Sequence, residues 1–173
     1  YDTYIIDLWG VMHNGIALNS KAIEAVENLS ANSKKIVFLS NAPRPSFKVV
    51  EFLKRLKMSD KLLSRVITSG EAAMHAINEN KFGNKFYHLG PPRDQSLFEK
   101  VIKNKTSLDK CDFIVCTGLF DNQEDDLNYY KELLKGHVSK KLICTNPDLI
   151  VHRGDIEELC AGSVAKTFEL LGG

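Results

Sequence analysis

The segment YIIDLWGVMHNG, residues 4–15, sets Tyr4-Ile5-Ile6 before a single carboxylate, Asp7, and follows it with Gly10 and Gly15. A short apolar run that gives way to glycine is the pattern of a buried strand entering a tight turn. A carboxylate at the mouth of such a strand is costly unless it is solvated, paired or metal-bound. Spacing leaves two explanations open: Asp7 caps the turn, or it is a reactive group.

Downstream, Ala22, Val26 and Leu29 recur at i, i+4 and i+7, one face of a helix, and Ile36-Val37-Phe38-Leu39 reads as a second strand. Val49, Leu53 and Leu56 repeat the helical spacing. Val66-Ile67 forms a third strand, with Thr68 or Ser69 placed to cap a helix over about Glu71 to Asn78. This alternation predicts βαβ units: an α/β fold with a Rossmann-like parallel sheet. Ligands of such sheets bind beyond the carboxyl ends of the strands, where Asp7, Ser40 and Thr68 all fall.

The polar stretch 80–84, with Gly83, reads as a hinge, and a second α/β run follows it. Its strands are Phe86–Leu89, closed by Gly90-Pro91-Pro92, then Phe113–Cys116 and Leu142–Cys144. Helices are expected over about Gln95–Ile102, Asp125–Leu134 and Ser163–Leu171. The division expected is 1–81 and 82–173; a continuation of one sheet is the plainer alternative.

Lys plus Arg total 23 and Asp plus Glu 22, a net charge of +1, so no strong field recruits nucleic acid or an anionic membrane. The longest apolar runs are strand-sized, well short of the roughly 18 residues of a membrane span. The sequence enters a strand pattern at once without a leader-like segment, which sets a cytoplasmic location as the default expectation. Cys111, Cys116, Cys144 and Cys160 form no CxxC pair and no zinc-ligand spacing, so they read as reduced packing residues.

Ser40-Asn41 follows a buried strand just as Asp7 does, and the two together resemble the first and second motifs of the haloacid dehalogenase superfamily. The likeness narrows to its class IIA branch, which includes nitrophenyl and pyridoxal phosphate phosphatases. Counterparts are Asp7 with Gly10-Val11 and Gly15, Ser40-Asn41, Ile67-Thr68-Ser69-Gly70-Glu71, Leu89-Gly90-Pro91-Pro92 and Thr145-Asn146-Pro147-Asp148. The resemblance implies a core with an inserted α/β cap, residues 82–173. It also implies Mg2+-dependent hydrolysis of a small phosphorylated metabolite through an aspartyl-phosphate on Asp7. Ser40, Gly10 and Asn41 would hold the phosphoryl oxygens, and the metal would sit on Asp7 and the Trp9 carbonyl. Arg44, Asn146, Asp148 and His152 are the candidates to face substrate, and the cap is a possible dimer surface. Asn146-Pro147-Asp148 is equally a turn formula, and Arg44 equally a partner for a surface carboxylate.

The sequence departs from the family twice. Trp9 stands where the phosphatases carry the acid/base Asp, and an indole N–H cannot titrate. Weak activity on activated esters is therefore expected, with His13 as a substitute donor or simply a hydrogen-bonded structural residue. The family's lysine and acidic-pair motifs are not found before Gly173, so a truncated and inactive chain is expected. Glu124-Asp125-Asp126 reads as a solvated helix start and not as the missing metal ligands. A degenerate phospho-ligand-binding protein and a dehalogenase-type hydrolase are the alternatives. A nucleotide-binding protein lacks its glycine-rich signature.

Overall fold

The computed structural model describes all 173 residues, Tyr1–Gly173. Strands β1 (Thr3–Ile6), β2 (Lys35–Ser40) and β3 (Val66–Thr68) form one parallel sheet in that order. Strands β4 (Phe86–Leu89), β5 (Phe113–Cys116) and β6 (Lys141–Cys144) form a second, also parallel. The helices are α1 (Ser20–Ala31), α2 (Ser46–Arg55), α3 (Ser69–Asn78), α4 (Leu127–Leu134) and α5 (Ala161–Leu170). The α/β class with parallel sheets is as the periodicity implied.

In the first sheet the expected helical faces are the buried ones: Val26 of α1 and Val49 and Leu53 of α2 pack with Phe38, Leu8 and Met12. Right-handed crossovers between strands added in one direction put both helices on the same side. The opposite side is bare in these residues, with Ile5 69%, Leu39 48% and Ile67 51% exposed. The register pairs Ile5 with Val37 and Leu39 with Ile67, so these residues form one apolar strip.

The second sheet is covered on both sides. Ile114 and Cys116 pack with Tyr130 and Leu134 of α4 and Val164 and Phe168 of α5. On the other side Phe86, Phe113 and Val115 meet Leu97, Phe98 and Ile77 of α3, with Met74 alongside. Its central strand, Phe-Ile-Val-Cys, is therefore buried at every position, the fully apolar signature of a strand covered on both faces.

Three elements differ from the sequence expectation. The helix expected over Gln95–Ile102 is instead two 3-10 segments, Pro92–Phe98 and Ile102–Asn104. Pro91 and Pro92 remove two backbone donors at its start, and its apolar residues Leu97 and Phe98 are adjacent, which serves a short tight turn against the sheet better than a long helix. The α4 helix begins at Leu127 and not Asp125, because Asp126 is its N-cap, accepting from Asn128 N (3.0 Å) and Tyr129 N (3.2 Å). An unforeseen antiparallel hairpin, β7 (Ile150–Arg153) with β8 (Ile156–Leu159), turns at Gly154 with φ of 64°. It joins neither larger sheet. All four cysteines are free; Cys111, Cys116 and Cys160 are buried and Cys144 half-buried.

Candidate active site

The register Ile6↔Phe38 and Ser40↔Thr68 brings the carboxyl ends of β1, β2 and β3 to one edge of the sheet, β1 ending two residues before β2. Asp7 follows β1 directly and is exposed, with one carboxylate oxygen accepting Leu8 N–H at 2.7 Å. Turn capping thus occupies Oδ1 and leaves the other oxygen to solvent. Gly10 has φ of 77°, a left-handed position in the turn that brings its N–H to the His13 carbonyl at 2.8 Å. Ser40 is buried, and its Oγ accepts Ala42 N–H at 3.2 Å, so the hydroxyl is fixed in the turn after β2. Thr68 Oγ1 accepts Glu71 N–H at 3.0 Å as the N-cap of α3, and donates to the Arg44 carbonyl at 2.6 Å.

Trp9 points away from proton chemistry. Its Nε1–H donates to the His152 carbonyl on β7 at 3.1 Å, and its ring meets His13 edge-on at 5.2 Å. His13 is buried, packs edge-on against Phe52, and accepts Gly15 N–H on Nδ1 at 3.0 Å. Burial lowers its pKa while the Asp7 carboxylate pulls the other way. Its hydrogen bond and packing are those of the structural alternative.

The second lobe reaches the site through the loop after β6. Asn41 Nδ2 donates to Asp148 Oδ2 at 2.5 Å, and Ser69 Oγ–H donates to the Thr145 carbonyl. Asn146 Oδ1 accepts Asp148 N–H at 3.1 Å, so the Asn146-Pro147-Asp148 turn forms and still delivers Asp148 to Asn41. His152 offers its backbone carbonyl to Trp9, while its exposed ring lies 3.7 Å from Glu157.

Arg44 pairs with a buried carboxylate and not a surface one: its Nε donates to Asp94 Oδ1 at 2.8 Å. Asp94 was not foreseen, nor were its neighbours Thr117 and His88. Burial pushes the Asp94 carboxyl up, while Arg44 and the Thr117 hydroxyl hold it down less strongly. His88 Nε2 lies 2.9 Å from Thr117 Oγ1, and burial, followed by the nearby Lys105, brings its pKa down to about 4. His88 is the next-to-last residue of β4 and Thr117 follows β5, so the strand-end rule that singles out Asp7 and Ser40 points to this part of the second sheet as well. A cleft of about 580 Å3 lies beside this chain, bordered by Arg44, Asp94, Asn146 and the hairpin residues Val151 and Glu157.

Asp7 presents one exposed carboxylate to a hard divalent cation, and magnesium is commonly held by one or two carboxylates with several waters. No group of three or more His, Cys, Asp or Glu gathers anywhere in the chain, at Asp7 included. The single carboxylate fits part of a magnesium shell.

A parallel sheet carrying Asp7 and Ser40 at neighbouring strand ends, beneath a second α/β lobe, is an arrangement of the haloacid dehalogenase type. A profile of haloacid dehalogenase-like hydrolases matches residues 4–102, and the chain belongs to that family. A haloacid dehalogenase-like hydrolase from Brucella suis 1330 is 33% identical with a TM-score of 0.91, covering 100% of this chain and 64% of that one. The p-nitrophenyl phosphatase from Archaeoglobus fulgidus is 22% identical with a TM-score of 0.73, covering 99% of this chain and 66% of its own. The glycerol phosphate phosphatase from Mycobacterium tuberculosis, in complex with calcium, is 19% identical with a TM-score of 0.68, covering 98% and 50% respectively. The last two show a shared fold. The chain thus spans just under two thirds of the length of the first two relatives. No curated protein matches it. No helix is long and apolar enough to cross a membrane.

Proposed function

We propose that the protein hydrolyses phosphate monoesters of a small metabolite, with Asp7 as the nucleophile. The observation that carries this reading is the exposed Asp7 carboxylate following β1, at the same edge of the sheet as the fixed Ser40 hydroxyl that ends β2, one residue further on in register. The Archaeoglobus and Mycobacterium proteins, both phosphatases, support it. The free Asp7 oxygen attacks phosphorus as the P–O bond to the leaving group breaks, giving an aspartyl-phosphate and an alkoxide or aryloxide. Water then attacks phosphorus, breaking its bond to the Asp7 oxygen, which releases inorganic phosphate and restores the carboxylate. Ser40, Asn41 and the N–H groups of the Gly10 turn orient the phosphoryl oxygens, because positioning and electrostatics supply most of the rate in phosphoryl transfer.

Magnesium on Asp7 and the Trp9 carbonyl would offset charge between nucleophile and ester. Trp9 supplies no proton, so the leaving group departs as an anion and activated esters react best; loss of a general acid costs about 10²- to 10⁴-fold. Residues 82–173 act as the cap, with Arg44, Asn146, Asp148 and His152 toward the substrate side. The shared core of α3 with the second sheet makes α3 the element on which that cap is seated.

The test is phosphoryl trapping on the complete gene product with Mg2+ and acetyl phosphate or p-nitrophenyl phosphate. A phosphoryl mass increment on the Asp7 peptide, absent in Asp7→Asn, is expected, and Trp9→Asp should raise turnover of alkyl esters relative to aryl esters. No increment with any donor would overturn the proposal. The second reading, a phospho-ligand-binding protein without turnover, is favoured by the Trp9 contact with His152, which commits the indole to a structural role. Ligand binding that survives in Asp7→Asn without any phosphorylation would select it.

A further inference from the structure

The hairpin β7–β8 has no sheet of its own to lie on, and an isolated two-stranded hairpin is marginal in water. Its contacts with the loop after β1 are specific. Trp9 donates to the His152 carbonyl at 3.1 Å. A Cβ on Gly15 would stand 2.6 Å from the Trp9 ring and 3.3 Å from Arg153 Cγ, so indole, loop and hairpin meet at a point only glycine fits. A Cβ on Gly154 would stand 2.9 Å from Ile16 Cδ1, the same interlock one residue further along. Behind the indole, His13 braces it edge-on and is itself braced by Phe52 of α2.

The hairpin also supplies Val151, Ile156, Glu157 and Glu158 to the wall of the cleft beside Arg44. We infer that Trp9 is a positioning residue: its indole clasps the hairpin to the loop that carries Asp7, and thereby fixes the hairpin wall of the cleft, which Pro43 and Arg44 border from the first lobe. The residue that cannot transfer a proton thus couples the nucleophile loop to the surface that a substrate's non-phosphate end would press on. That use of the cleft rests on the proposed hydrolase reading; the clasp itself does not.

Coupling of this kind is reciprocal, which gives a test from each side. Trp9→Phe keeps an aromatic ring and removes the N–H. It is expected to speed hydrogen exchange of backbone amides in 150–159 by about two- to tenfold, the worth of one hydrogen bond, without changing those of β4–β6. From the other side, Gly154→Pro disturbs the hairpin turn, whose φ of 64° proline cannot adopt. Trp9 is the only tryptophan, so its indole N–H gives a single NMR resonance, expected to shift and exchange faster in that variant. Hairpin amides unchanged in Trp9→Phe, an indole resonance unmoved by Gly154→Pro, or uniform acceleration across β4–β6 would each overturn the inference. None of these readouts requires phosphorylation of Asp7, so they stand apart from the fate of the hydrolase proposal.

Discussion

Asp94, buried in the second lobe, accepts the Nε–H of Arg44 from the first at 2.8 Å. The Arg44 backbone is tied to the end of β3 through Thr68, so this one residue is anchored to both lobes. Arg44→Ala leaves a carboxylate that is 2% exposed without its cation. Because Arg44 is itself 39% exposed and solvent screens the pair, the expected loss is about 1–3 kcal/mol by chemical denaturation. Asp94 already has a raised pKa, and loss of Arg44 raises it further. The penalty belongs to the ionised form, so the gap between wild type and Arg44→Ala should be full at pH 7 and narrow as the pH falls toward 4. A gap that widens on acidification would contradict this assignment.

His88 sets a second pH dependence. Its folded-state pKa of about 4 lies below the ordinary 6.5, so the unfolded chain binds more protons between those values and stability rises with pH across that window. The contribution is intact above pH 6.5 and lost progressively toward pH 4. The effect on stability is on the order of a few kcal/mol. Melts of His88→Gln, which retains a hydrogen-bonding group for Thr117, should show a flatter acid limb than wild type over that range.

Gly162 lies against the turn that delivers Asp148. A Cβ there would come 2.2 Å from the Pro147 carbonyl oxygen and 2.4 Å from that of Asp148, both backbone atoms that cannot swing aside. Gly162→Ala is therefore expected to cost about 1–3 kcal/mol, although alanine favours helices, and to displace Asp148 from Asn41. Thermal melts check the cost. Loss of further effect from Asp148→Ala in the Gly162→Ala background checks the displacement.

The strip of Ile5, Leu39 and Ile67 is exposed apolar surface on a parallel sheet, a class of sheet ordinarily covered on both faces. The 173-residue chain should bind anilinonaphthalene sulfonate and self-associate through it. The pair Ile5→Thr and Leu39→Thr keeps β-branched or strand-tolerant side chains at exposed positions, so it should reduce dye binding severalfold while changing stability by less than about 1 kcal/mol. Undiminished dye fluorescence in that variant would place the exposed surface elsewhere.

The alternation of strands and helices, the helical faces of Val26, Val49 and Leu53, and the alignment of Asp7, Ser40 and Thr68 at strand ends were legible in the sequence. Each depends on side-chain periodicity or on turn residues a few positions apart, and local spacing is what a linear chain displays. The tertiary structure alone decided what meets across the lobes. Arg44 finds Asp94 50 residues away, Asn41 finds Asp148 107 away, and Trp9 finds the His152 carbonyl 143 away. It also decided that one sheet is covered twice and the other once, because a face is buried or bare according to where the crossovers and α3 pack. No spacing rule carries those pairings: hydrogen bonds and ion pairs between distant segments are selected by the desolvation of the groups that meet, which exists only once the chain has folded.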